Sequence, residues 1–236
     1  MNIINQLGVA LVAAVVTWGT GPLAAAEMSL QMGLPFSDGA VLQQQVKVPV
    51  WGWTAPAAEV TVQFAGQERA ATADETGRWE ALLQPLLADS VADPAVAPEG
   101  KIMTVTASMN GATTSVVIKG ILVGEVWLCA GQSNMGFGLQ HVLNAGEEIA
   151  KAQYPVIRTL PVSCRAAAVP MERSKAVPWV SCTPEDAADF SATGYFFARH
   201  LLKELKVPIG LLHVTRGGGV IEPFIAPGGY LASSHL

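Results

Sequence analysis

The stretch Ile121-Leu122-Val123-Gly124-Glu125-Val126-Trp127-Leu128-Cys129-Ala130-Gly131-Gln132-Ser133-Asn134-Met135 decides the fold. Residues 121–129 form a nearly continuous apolar run, the pattern of a strand buried on both faces. The run then gives way to small and polar residues, and Gly131 permits a sharp turn. A strand that stops at such a turn presents the Ser133 hydroxyl at the edge of a sheet. Gln132 and Asn134 flank it with amides that donate and accept hydrogen bonds. A nucleophilic serine needs this placement, exposed at a strand end with N–H groups nearby. A strand followed by an ordinary polar turn fits the same residues.

Downstream, the pattern alternates strand and helix. Residues 156–162 read as a strand and 165–184, with scattered prolines, as a long loop. Residues 190–206 read as a helix with Tyr195, Ala198, Leu202 and Leu205 on one face, stopped by Pro208. Residues 209–214 read as a second buried strand. Asn144 and Glu147 have the spacing of a helix cap and its reciprocal partner. Strand, helix, strand in this order implies a parallel sheet with helices on its faces, an α/β architecture. The second strand ends in Thr215-Arg216-Gly217-Gly218-Gly219, where three glycines allow backbone N–H groups to turn toward negative charge.

Upstream, residues 46–53, 59–64, 78–83, 101–109 and 113–121 are short runs rich in β-branched and aromatic residues. Asn110-Gly111 is a two-residue hairpin signal, residues 74–77 form a second turn, and Pro49 places its strand at an edge or a kink. Residues 87–100 read as a surface loop. The set indicates a small all-β sandwich. Its Trp51, Trp53 and Trp79 read as core residues, with stacking on sugars the alternative.

Residues 1–26 carry no charged side chain and end in Ala24-Ala25-Ala26, which reads as a secretory signal peptide and a secreted or periplasmic protein. A membrane anchor is the competing reading, but the apolar run is short of the ~20 residues a spanning helix needs. The domains expected are therefore 1–26 signal peptide, 27–120 sandwich and 121–236 α/β domain. Charged residues make up 14 % of the chain and the net charge is −5, which argues against nucleic acid and anionic membrane surfaces as partners. No His, Cys, Asp or Glu cluster has metal-ligand spacing, and no cofactor is expected. The three cysteines form no disulfide framework; Cys129 reads as a core residue, and Cys164 and Cys182 could pair in an oxidising compartment.

The string Gly124 to Met135 resembles the nucleophile block of the sialate O-acetylesterase family, SGNH-type carbohydrate esterases. It is not a Gly-x-Ser-x-Gly elbow, since Met135 stands where the second glycine would be. Val41-Leu42-Gln43, Trp51-Gly52 and Gly77-Arg78-Trp79 are similar to pieces of the sandwich that precedes the catalytic domain in that family. Ser191 to Arg199, Val207 to Leu212 and the glycine turn resemble its later blocks. The resemblance spans residues of about 34–230 and corresponds to the first part of a family member. It implies a parallel three-layer sheet, here truncated, and hydrolysis of O-acetyl esters on sugars such as sialic acid through an acetyl-enzyme. Carried over, Ser133 is the nucleophile and its own N–H an oxyanion donor. Gly218 is the second donor, with Gly217 the alternative. Gln132, Asn134 and Gly217 are substrate-binding. Gly219, Arg216 and Phe224 depart from the family pattern and bear on the pocket's shape.

The base and its carboxylate, which the family supplies late in its catalytic domain as an Asp and a His, have no counterpart in this sequence, and no aspartate has a histidine three residues on. His141, His200, His213 and His235 are not expected to serve as base. The chain as it stands is thus expected to be a poor esterase, and a non-catalytic fragment or carbohydrate-binding module is the alternative reading. Mass spectrometry of the exported protein is expected to find Glu27 at the N-terminus; an intact Met1 on a cytoplasmic protein would contradict it.

Overall fold

The computed structural model describes residues 28–163, 171 and 177–232. The expected signal peptide, Cys164 and His235 lie outside the described residues, so the Cys164–Cys182 pairing does too. Among the described residues eleven strands form in chain order: β1 (Gln31–Met32), β2 (Val41–Gln43), β3 (Val48–Trp53), β4 (Glu59–Phe64), β5 (Gln67–Thr72), β6 (Arg78–Leu83), β7 (Lys101–Met109), β8 (Ala112–Gly131), β9 (Tyr154–Ser163), β10 (Val180–Cys182) and β11 (Ile209–Thr215). The helices that matter for the site are α1 (Ala145–Ala150) and α2 (Ala192–Leu205).

One strand joins the two expected regions. β8 is 20 residues long and passes residue 120 without a break. Its first half pairs antiparallel with β7, and its second half pairs parallel with β11 from Glu125 to Gly131. The large sheet therefore runs β10-β9-β11-β8-β7-β4-β5, mixed and open, with β2 laid parallel against residues 122–124 of β8. A second sheet, β1-β3-β6, packs across it. The β7–β8 hairpin turns at Asn110 and Gly111, both with positive φ (51° and 81°), as that dipeptide requires. β1 pairs with β3 only at Gly52 and Trp53, so at Pro49 the strand has β6 as its one neighbour and the missing N–H costs nothing.

Where the two halves of β8 meet, Gly120 takes φ +69° and the β7–β8 register shifts. The carbonyls exposed by this kink converge on Arg158 of β9. Its Nη1 donates to Gly120 O at 2.6 Å and Gly39 O at 2.7 Å, and its Nε to Pro155 O at 3.3 Å. The side chain is nearly sealed, with the residue 8 % exposed. Burial lowers its pKa from the ordinary arginine value, but a guanidinium stays charged there. The other side of the junction is tied by Asp89, which accepts from Val123 N and pairs with Lys101.

Alternate residues of the parallel strands serve two cores. Ile209 and Leu211 join Ile157, Tyr195, Ala198 and Leu202 beneath α2. Leu160 and Trp179 join the sandwich residues Val50, Trp79, Leu83 and Val105 on the other side, with Leu212 packed against them. Trp79 and Trp53 are buried, and Trp51 stacks edge-on against Phe36 at 4.9 Å, so the sandwich tryptophans are core residues.

Four expectations need correction. The run 121–129 is not buried on both faces throughout: Trp127 is 42 % and Leu128 65 % exposed. Beyond Val126 the strand has β11 along one edge and no strand along the other among the described residues, so the flanking cover ends. Strand β11 is also less buried after Leu211, although β8 and β9 flank it to Thr215. Asn144 does precede α1, but in the left-handed region (φ 61°), and it makes no side-chain cap bond; Glu147 instead pairs with Lys151 at 3.6 Å. In α2, Ser191 is the N-cap, accepting from Gly194 N at 3.1 Å, and Leu205 lies exposed at the far end. The segment expected as a long loop contains the short strand β10.

Replacing Arg158 with Met leaves the Gly39 and Gly120 carbonyls buried without their charged donor. The expected cost is about 2–4 kcal/mol, read as a lowered urea midpoint with an unchanged slope. A midpoint within experimental error of the parent would show that the clamp does not hold the junction.

Candidate active site

The end of β8 delivers the chain into a tight turn. Gly131 sits at φ +156°, where an added Cβ would come within 3.2 Å of Met135 Cβ. Gln132 O accepts from both Met135 N (3.0 Å) and Gly136 N (2.9 Å), closing the turn below Ser133. Ser133 is exposed at its crest, as the sequence places it, and Gln132 and Asn134 flank it, both exposed. Among the described residues neither the hydroxyl nor the backbone N–H of Ser133 has a hydrogen-bond partner, so both are available to a ligand.

Four neighbouring elements hold the turn. From β11, His213 Nε2 donates to Met135 O at 3.3 Å, which fixes the tautomer with its proton on that nitrogen. Just past β11, Arg216 N donates to Gly131 O at 3.0 Å. At the start of α2, Thr193 Oγ1 donates to Asn134 O at 3.3 Å, and Ser191 Oγ lies 3.6 Å from Met135 Sδ. The segment after the turn pairs with the cap of α2, through a bridge between Gly138 and Ser191 and a bond from Ala192 N to Phe137 O at 2.8 Å. His213 therefore supports the turn from below as a satisfied, half-buried residue.

A cavity of about 380 Å³ opens beside Ser133. Gln132, Ser133 and Gly217 line it, together with Phe137, Gln140, His141, Asp189 and Thr215. Gly217 thus faces the cavity, while Gly218 lies next to it in the turn, exposed, with φ +68°. Asn134 is on the Ser133 turn but outside the cavity lining. His141 lies in a 3₁₀ turn at Leu139–His141 with its ring tilted 5.6 Å from Phe137, and Gln140 Nε2 donates to Asp189 Oδ1 at 2.9 Å. His200 is exposed on α2, away from this cavity.

Sequence reasoning did not single out Asp189, Gln140 or Phe137. The signal available was Ser191 as a helix cap: the residues just before a cap, like those just after a strand end, gather at the carboxyl edge of a parallel sheet, where such sites form. The two described cysteines are buried and carry no thiolate at neutral pH. Burial raises the Cys129 thiol, and pushes Cys182 up to about 12, so both are protonated at neutral pH.

No family model matches the chain. A human protein described as sialate O-acetylesterase is 30 % identical over 217 aligned residues, covering 84 % of this chain and 40 % of that protein. The mouse protein of the same description is 28 % identical over 188 residues, covering 73 % and 33 %. The crystal structure of a carbohydrate acetylesterase from Xanthomonas citri superimposes with a TM-score of 0.76 at 31 % identity, over 88 % of this chain and 45 % of that one. The chain thus spans about two fifths of the length of the human relative it matches.

Gly131→Ala is expected to strain the turn on both counts, backbone and contact, at a cost of about 1–3 kcal/mol. Thermal unfolding of the variant checks this; an unchanged midpoint would mean that the turn accommodates a side chain there.

Proposed function

The chain belongs to the sialate O-acetylesterase family, and on that premise we propose that it carries the nucleophile and oxyanion turn of an esterase acting on O-acetylated sugars, sialic acid among them. The observation that carries the reading is the free, exposed Ser133 hydroxyl at the end of β8, opening on a cavity of about 380 Å³. Ser133 Oγ attacks the acetyl carbonyl and gives up its proton to a base. The tetrahedral oxyanion takes hydrogen bonds from Ser133 N–H and from the glycine turn, where Gly217 is favoured over Gly218 because it faces the cavity. The sugar alkoxide leaves protonated, and water then releases acetate from the acetyl-serine. Gln132 lines the same wall and is placed to hydrogen-bond the sugar; Asn134 acts on the turn through its backbone.

A second reading has its own support. Among the described residues no imidazole is hydrogen-bonded to Ser133, and His141 is the histidine that lines the cavity. In that reading the chain supplies the nucleophile turn without its base. Acetate release from an O-acetylated sialic acid separates the two. Turnover of about 1–10³ s⁻¹, abolished by Ser133→Ala and reduced at least a hundredfold by His141→Ala, makes His141 the base. A rate only ~10³–10⁴-fold above water, lost in Ser133→Ala and unaffected by His141→Ala, supports the turn without its base. Equal rates for Ser133→Ala and the parent would rule out the nucleophile.

A further inference from the structure

A larger cavity, about 850 Å³, lies away from Ser133, between α2 and the loop after β6. We propose that it is a binding site for a carboxylate-bearing sugar of the glycan on which the Ser133 site acts. The proposal rests on the carbohydrate reading above.

The second cavity runs along α2 from Phe196 to Lys206, and its lysine end is the one farther from Ser133. Thr193, at the start of the helix, touches the nucleophile turn, whereas Lys203 and Lys206 lie at its far end, where Val91 N donates to Lys206 O at 2.9 Å. At ~1.5 Å per residue, the ten residues from Thr193 to Lys203 set the lysine end of the cavity about 15 Å along the helix from the residue that touches the Ser133 turn.

The walls of the cavity combine two chemistries. Tyr154 and Phe196 supply aromatic surface, and Arg199, Lys203 and Lys206 supply positive charge; no carboxylate lines it. Arg199 is already committed, to Glu148 at 2.6 Å and to the Tyr195 hydroxyl at 3.3 Å, and its guanidinium stacks 4.9 Å from the Phe196 ring centre. That arrangement fixes the Phe196 ring. Lys203 and Lys206 form no ion pair among the described residues, which leaves two uncompensated ammonium groups at one rim of a chain whose net charge is −5. Cations at a helix C-terminus are favourable in themselves. That does not account for a cavity of ligand size with aromatic walls beside them. Aromatic faces take the apolar face of a sugar ring, and ammonium groups take a carboxylate; a saccharide carrying one satisfies both.

The test is calorimetric titration of the chain with 3′-sialyllactose, lactose and inorganic phosphate at equal ionic strength. Sialyllactose is expected to bind at least tenfold more tightly than either control. Lys203→Gln with Lys206→Gln is expected to weaken it at least tenfold, and Lys203→Arg with Lys206→Arg to keep it within threefold, while circular dichroism of all forms is the same. Equal binding of lactose, equal binding of phosphate, absence of binding, or binding unchanged in the glutamine pair would each overturn the proposal. Acetate release from a small acetyl ester is expected to be unchanged in the glutamine pair. The two readings fail separately: sialyllactose binding without Ser133-dependent release sinks the esterase, and Ser133-dependent release without lysine-dependent binding sinks this site.

Discussion

The molecule depends on a buried guanidinium. Arg158 satisfies two carbonyls that a kinked strand and its neighbour turn inward, and without it the kink at Gly120 would leave them unpaired. The kink matters because β8 has two jobs. Residues 112–121 close the sandwich, and residues 125–131 lead the parallel strands to the Ser133 turn. A strand that changes partners midway must change direction, and a positive φ at glycine with a fixed charge beneath it is the low-strain way to do so. The position of Ser133 is therefore set partly by a residue that lies far from it.

The turn itself is held in the same spirit, by backbone and by residues from elsewhere. Gln132 O closes it, His213 and Thr193 take up its outward carbonyls, and Arg216 N ties it to the glycine turn after β11. None of these contacts uses the Ser133 hydroxyl or N–H. The Ser133 hydroxyl and N–H are left free while the backbone of the turn is held from several sides, the arrangement that the proposed oxyanion role would use.

Much of this was legible in the sequence where the signal is local. The bounds of β4, β6 and β7, the Asn110-Gly111 turn, the buried stripe of α2 and Ser133 at a strand end follow from periodicity and turn chemistry. What was not legible depends on partners distant in sequence. β5 has a polar pattern, Gln-Glu-Arg-Ala-Ala-Thr, and becomes a strand because β4 offers it an edge. The exposure of Trp127 and Leu128 reflects what lies beside β8, which no run of apolar residues records. The runs 113–121 and 121–129 read as two strands, and only their shared partners make them the single strand β8. Asp189 and Gln140 reach the cavity through the meeting of two short turns from separate segments.

The central claim is that β8 is one structural unit from the sandwich to the Ser133 turn. Native-state hydrogen exchange along residues 114–130 tests it most directly. The hydrogen-bonded amides on both sides of Gly120 are predicted to open with a common free energy and a common denaturant dependence, as one cooperative unit. Opening of residues 125–130 at markedly lower free energy, with 114–119 still protected, would contradict the account and would mean that the two halves are held independently.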